Sequence, residues 1–237
     1  MIILPAIDLY GGKAVRLLKG DYREMTVYSE KPESVGKAFA EAGATHIHLV
    51  DLEGARNGET PNLDTVIKIK KETGLFCEVG GGIRSMEVVE RYISGGLDRV
   101  ILGTAAVTDE DFLKNCVDRY GEKTAVSVDI REGFVAIRGW TEKSTLSFLD
   151  FCEKMSKIGV STLICTDISR DGAMKGTNYE LYRLLSSKLK MKIIASGGVS
   201  TMEDIIRLKE LNLYGAIIGK AYYTGQIDLK QAIEVAE

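Results

Sequence analysis

Shifted by 116 positions (197 − 81), the stretch Gly81–Ala105 lies on Gly197–Ala221 without a gap. In that register Gly81 meets Gly197, Gly82 meets Gly198, Glu87 meets Glu203, Ile101 meets Ile217, Gly103 meets Gly219 and Ala105 meets Ala221. The same shift pairs Gly43 with Gly159, Asp51 with Asp167 and Asn62 with Asn178. Nearer the start the shift becomes 121, pairing Asp8 with Asp129 and Gly12 with Gly133, which marks a small difference in length between the copies. Such a repeat means that one supersecondary plan is built twice, with the two copies sharing a core that neither completes alone. The halves are expected at about 1–121 and 122–237.

Short apolar runs alternate with stretches whose apolar residues recur at helical spacing, the pattern of successive βα units around a parallel sheet. Eight runs stand out: Ile2–Ile7, His46–Val50, Phe76–Val79, Arg99–Leu102, Ala125–Val128, Thr162–Cys165, Lys192–Ala195 and Ala216–Ile218. Between them the spacing predicts helices, among them Pro32–Glu41, Leu63–Thr73, Met86–Ser94 and Met202–Leu211, with Ser85 and Thr201 as N-caps. Proline occurs only at positions 5, 32 and 61, and no Ser- or Gly-rich linker divides the 237 residues. The expected fold class is therefore α/β, a single (β/α)₈ TIM barrel over 1–237 with a two-fold half-barrel repeat.

With 45% hydrophobic and 27% charged residues the composition is that of a globular protein with a full core. A formal net charge of −3 and dispersed lysines offer no field for a nucleic-acid backbone. No apolar run approaches the roughly 18 residues of a membrane span, and the start lacks a basic segment leading into an apolar one, so a cytoplasmic protein is expected. Cys77, Cys116, Cys152 and Cys165 form no C-x-x-C pair and stand apart from His46 and His48, so neither a disulfide framework nor a metal site is expected. The cysteines read as small buried hydrophobes.

Glycines between a strand and a helix let backbone N–H groups approach an anion, and the helix start adds favourable partial charge. Gly80-Gly81-Gly82 and Gly103-Thr104 follow the third and fourth runs, while Ser196-Gly197-Gly198 and Gly219-Lys220 follow the seventh and eighth. Any one of them reads equally as turn punctuation. Four at equivalent places in a repeat point to two anion sites on opposite sides of the barrel mouth, and hence to a small ligand with a phosphate at each end. Arg84 and Lys220 could supply charge or be solvated side chains.

Asp8 closes the first run and Asp129 the fifth, so both are expected in the mouth between the anion sites, although a strand-end aspartate alone reads equally as a cap. Two carboxylates in one cleft can divide acid and base work when their surroundings differ. The sixth run ends Thr166-Asp167-Ile168-Ser169-Arg170-Asp171-Gly172. Thr166 is a candidate for positioning, and Asp171 for a second acid or a turn. His48 could reach the mouth or serve as a core histidine. The segments after the first run, to Lys31, and after the fifth, Ile130 to Thr145, exceed usual βα connections and are expected to act as lids. The second carries Trp140, an aromatic that could stack on a planar heterocycle or simply pack.

Taken together, Pro5-Ala6-Ile7-Asp8-Leu9, His46-Ile47-His48-Leu49-Val50-Asp51-Leu52, Gly80-Gly81-Gly82-Ile83-Arg84, Gly139-Trp140 and Ser196-Gly197-Gly198-Val199 resemble the ProFAR isomerases of histidine biosynthesis from end to end. The resemblance implies an Amadori rearrangement of an aminoaldose carrying two phosphates to an aminoketose, with no cofactor. It implies Asp8 as general base and Asp129 as general acid, with Arg16, Thr166 and Asp171 assisting at the substrate. The remaining expected contacts are His48, Gly81, Gly82, Gly103, Thr104, Trp140, Gly172, Gly197, Gly198, Gly219 and Lys220. The chain is expected to act as a monomer on a small molecule. Where the family has Asp-Gly-Thr and Gly-Pro-Asn, this chain has Asp171-Gly172-Ala173 and Gly176-Thr177-Asn178.

Three alternatives stand beside this reading. The related cyclase usually starts Cys-x-Asp rather than Ala6-Ile7-Asp8, and has a serine-rich strand end where this chain has Thr166-Asp167. A dual isomerase would also take phosphoribosylanthranilate. A non-catalytic phosphate-binding barrel would keep the glycine loops without needing both aspartates.

Overall fold

The structure, a computed structural model, describes residues 1–18, 20–174 and 176–237. Eight parallel strands pair in sequence and close on themselves: β1 (Ile2–Tyr10), β2 (His46–Asp51), β3 (Phe76–Gly80), β4 (Arg99–Leu102), β5 (Thr124–Arg131), β6 (Thr162–Asp167), β7 (Lys192–Ser196) and β8 (Gly215–Ile218). Closure is made where Ile2–Pro5 run in register with Gly215–Ile218. This is the expected (β/α)₈ barrel. Helices cover the outer face of the strands, so both strand faces are buried and the strands read as nearly continuous apolar runs.

Alternation along each strand divides the apolar interior in two. Leu4, Ala6, Ile101, Ala125, Ile164, Ile194 and Ile217 fill the inside of the barrel. Leu49, Val79, Val100, Val126, Val128 and Leu163 point the other way, into the larger core shared with helix residues such as Phe39, Val66, Val89, Phe151 and Leu208. Inward parity continues from Leu4 and Ala6 to Asp8, from Ala125 to Asp129 and from Ile164 to Thr166. The polar ends of the barrel's inner face are thereby set at its C-terminal mouth.

The helices stand where the spacing places them, including Pro32–Glu41, Leu63–Thr73 and Met86–Ser94, with Met202–Glu210 ending one residue early. Ser85 accepts from the Val88 N–H, and Thr201 forms a reciprocal capping box with Asp204. All four cysteines are buried free thiols. Among the described residues no helix is long and apolar enough to cross a membrane.

The long segments after β1 and β5 differ from open loops. β1 runs on to Tyr10 and turns into two antiparallel strands, Lys13–Leu18 and Asp21–Ser29. β5 runs on to Arg131 and is followed by Phe134–Ile137 and Glu142–Ser147. The extra strands lack a well-buried face, most clearly Asp21–Ser29 and Glu142–Ser147, so no apolar alternation announces them.

Candidate active site

One cavity of about 250 Å³ opens at the C-terminal mouth, and every residue expected to touch a substrate lines it. Asp8 and Asp129 enter from opposite sides of the barrel, on β1 and β5. Their surroundings differ. The antiparallel register Asp8↔Val15 brings Arg16 back over the strand end, and its Nη1 donates to Asp8 Oδ2 at 2.7 Å. Burial pulls the guanidinium down, but Asp8, Tyr223 and Asp171 outweigh it and hold Arg16 above its ordinary value. Its Nε is buried with no hydrogen-bond partner among the described residues. A Cβ built on Gly219 would collide with the same guanidinium, which places Arg16 directly above the loop after β8.

Among the described residues no such cation is bonded to Asp129. Burial raises its carboxyl above the usual range, and hydrogen bonds from Trp140 and Thr166, with the charge of His48, offset only part of that. Asp171, after β6, is pushed up to about 6 by burial and by Asp8 and Asp129, against the pull of Arg16 and Lys220. A carboxylate bonded to a cation, facing buried carboxyls that favour their protons, is an arrangement able to abstract a proton at one point and deliver one at another.

The glycine loops flank this acidic middle. Gly81 has φ +101° and Gly197 φ +87°. A Cβ on Gly81 would collide with the Asp51 carbonyl, and one on Gly197 would lie 2.9 Å from the Asp167 carbonyl. Asp51 and Asp167, 116 positions apart, accept from the side chains of Asn62 at 2.9 Å and Asn178 at 2.7 Å. Gly103 (φ −100°, ψ −103°) and Gly219 (φ −107°, ψ −107°) share one unusual conformation, each opening a short helix, Thr104–Thr108 and Lys220–Tyr223. First-turn N–H groups have no acceptor within a helix and favour an anion there. Neither short helix stands out in the sequence.

The segments after β1 and β5 meet above the mouth. Trp140, at φ +70°, lies against Gly20, 2.8 Å from where a Cβ would sit. The Arg138 N–H donates to the Thr104 hydroxyl at 2.9 Å, and Tyr22 donates to the Leu52 carbonyl at 2.7 Å. Lys220 reaches the Gly172 carbonyl at 3.3 Å. Arg84 is exposed, with its guanidinium packed against Gly58.

His48 lines the cavity, and its Nδ1 lies 2.7 Å from Glu78 Oε1. The other Glu78 oxygen accepts from Arg99 at 3.0 Å. Glu78, Arg99, Tyr22 and Tyr223 are absent from the sequence-based site. The signal for Glu78 lies in strand parity: it sits two residues before Gly80, which lines the cavity.

The chain matches the family described as "Histidine biosynthesis protein" over residues 2–228. It belongs to that family. Among its relatives is a protein of Oceanobacillus iheyensis, 48% identical over 234 residues that cover 99% of this chain and 98% of the relative. Another, from Lactococcus lactis subsp. cremoris strain SK11, is 51% identical over 98% of this chain and 95% of its own length. A third, from Brachyspira hyodysenteriae, is 46% identical over the full length of both. All three carry the name 1-(5-phosphoribosyl)-5-((5-phosphoribosylamino)methylideneamino)imidazole-4-carboxamide isomerase. For this member of the histidine biosynthesis protein family, the similarity therefore spans both glycine-loop pairs and both strand-end aspartates.

Proposed function

We propose that this chain is the ProFAR isomerase of histidine biosynthesis, and that its two barrel halves, about 1–121 and 122–237, each supply one phosphate grip. The reading is carried by two carboxylates in unlike surroundings between two matched glycine-loop pairs, in a chain about half identical to named isomerases over its whole length. Gly81, Gly82, Gly103 and Thr104 hold one phosphate, and Gly197, Gly198, Gly219 and Lys220 the other.

The fixed sugar lies across Asp8 and Asp129. Asp129 gives its proton to the furanose ring oxygen as the C1–O bond breaks, and the nitrogen lone pair closes a protonated C=N bond. Asp8 then takes the C2 proton, and the electron pair returns to nitrogen as an enaminol. Proton return at C1 and loss of the hydroxyl proton at C2 give the aminoketose. Only protons pass between protein and substrate, so two carboxylates suffice and neither metal nor organic cofactor is needed. Arg16 and Asp171 orient the sugar beside Asp8, Thr166 and Trp140 hold Asp129, and Trp140 offers its face to the heterocycle. Closure of the two hairpins excludes water. The reading includes a monomer working in the cytoplasm.

An absorbance assay with ProFAR, run beside phosphoribosylanthranilate and beside the ketose with ammonia, tests this. Turnover of ProFAR alone is expected; turnover of the ketose with ammonia instead would reassign the chain to the cyclase reaction. Asp8→Asn is expected to lower kcat by about 10²-fold or more while the substrate still binds. Retained turnover would remove Asp8 from its role.

A further inference from the structure

Glu78 lies on the inner face of the barrel with no exposed side-chain surface. Burying an ion pair costs desolvation that the attraction often fails to repay, so Glu78–Arg99 is a poor device for stability alone. Its two oxygens are divided between Arg99 and His48 Nδ1. Arg99 is itself buried, on β4, its guanidinium 4.9 Å from the centre of the Phe76 ring. With Nδ1 committed to a carboxylate, which only accepts, Nδ1 must carry the proton and only Nε2 is left to face the cavity. His48 and Asp129 line the same cavity.

We infer that Glu78 is a positioning residue for the isomerisation: held by Arg99, it fixes the tautomer and tilt of His48, so that Nε2 is the atom presented to the substrate beside Asp129. The inference rests on the isomerase reading for its kinetic consequence, but not for its structural one. Arg99 can only donate. In Glu78→Gln the amide oxygen is therefore drawn to Arg99, the amide NH₂ turns to His48, and Nδ1 must become the acceptor. One substitution thus inverts the tautomer with little change in volume.

The chain has only two histidines, so ¹⁵N spectra of the rings are simple to assign with a His46 variant. Wild type is expected to carry the His48 proton on Nδ1 and Glu78→Gln to carry it on Nε2. With ProFAR, Glu78→Gln is expected to lower kcat about 30-fold or more with KM within about threefold, since a wrongly protonated imidazole is costly at an active site. In a His48→Asn background, the same change is expected to cost less than about twofold. Combining Glu78→Gln with Arg99→Met frees the amide oxygen for Nδ1–H, and is expected to restore the wild-type tautomer and at least about tenfold of the lost kcat. That pair also removes the unpaired cation, should the single variant fail to fold. An unchanged tautomer in Glu78→Gln, an undiminished cost without His48, or no recovery in the pair would overturn the inference. A wild-type chain inert toward ProFAR would overturn the isomerase reading instead, leaving the tautomer measurement to decide the role of Glu78.

Discussion

Asp171→Asn isolates what the site gives up in stability. Asp171 keeps its proton up to about 6 against an ordinary 3.8, chiefly because it is buried and faces Asp8 and Asp129, with Arg16 and Lys220 pulling the other way. A carboxyl raised in the fold holds its proton more tightly there than in the unfolded chain. Its stabilising contribution is full below 3.8 and is lost as pH rises through 6. The gap between 3.8 and about 6, at about 1.4 kcal/mol per pH unit, corresponds to roughly 3 kcal/mol above pH 7, an upper figure because solvent reaches the cavity. Asparagine has nothing to ionise. Urea unfolding is expected to find Asp171→Asn equal to wild type near pH 3.5 and more stable by up to about 3 kcal/mol at pH 8, or about 6–12 °C in Tm for a chain of this size. Turnover is expected to fall in the same variant. A variant less stable than wild type at pH 8, or a stability difference that does not change with pH, would refute the account of Asp171 as a strained, proton-holding group.

Three further outcomes are expected. Trp140→Phe removes an N–H that holds the Asp129 carboxyl down; if Asp129 acts as acid, the alkaline limb of kcat/KM moves to higher pH, and a limb that stays put would exclude the Trp140 contact. Gly81→Ala puts a Cβ at φ +101° against a backbone carbonyl that cannot swing aside, so a loss of about 3 kcal/mol or more is expected in equilibrium unfolding. Gly219→Ala instead meets the movable end of Arg16; Tm is expected to stay within about 3 °C while KM for ProFAR rises about tenfold or more, and the reverse pattern would show that Arg16 is not poised over that loop.

What was legible in the sequence followed from burial. Strands covered on both faces, such as those carrying Ile193–Ala195 and Ala216–Ile218, leave unbroken apolar runs, and helices with one buried stripe leave a 3.6-residue rhythm. Asp8 and Asp129 could be placed because a strand-end position in a barrel needs no knowledge of neighbours. The Arg16–Asp8 pair could not, because it depends on a hairpin whose strands carry no buried alternation. Glu78 hid for the opposite reason. A charged residue inside a barrel breaks the apolar pattern, and only its partners on two other strands explain it. Trp140 could be named, but its indole reaches Asp129 through a left-handed backbone at a bulky residue, which no local propensity favours.

The two glycine loops that open the short helices carry nearly the same backbone yet differ in what lies over them, and on the proposed reading that difference orients the substrate. Gly103 and Gly219 have φ and ψ within a few degrees of one another. Above the first, Thr104 accepts a backbone N–H from Arg138, a neutral closure supplied by the segment after β5. Above the second lies the Arg16 guanidinium, with an unpaired Nε, beside Lys220. On the proposed reading, the phosphate entering the second site meets the cation that Asp8 already holds. It then competes with Asp8 for Arg16, loosening the carboxylate next to the C2 proton when that end of the substrate is seated. Substrate orientation, and the choice of Asp8 rather than Asp129 as base, would then follow from a hairpin present on one side of the barrel and differently built on the other, not from the repeated strands beneath it.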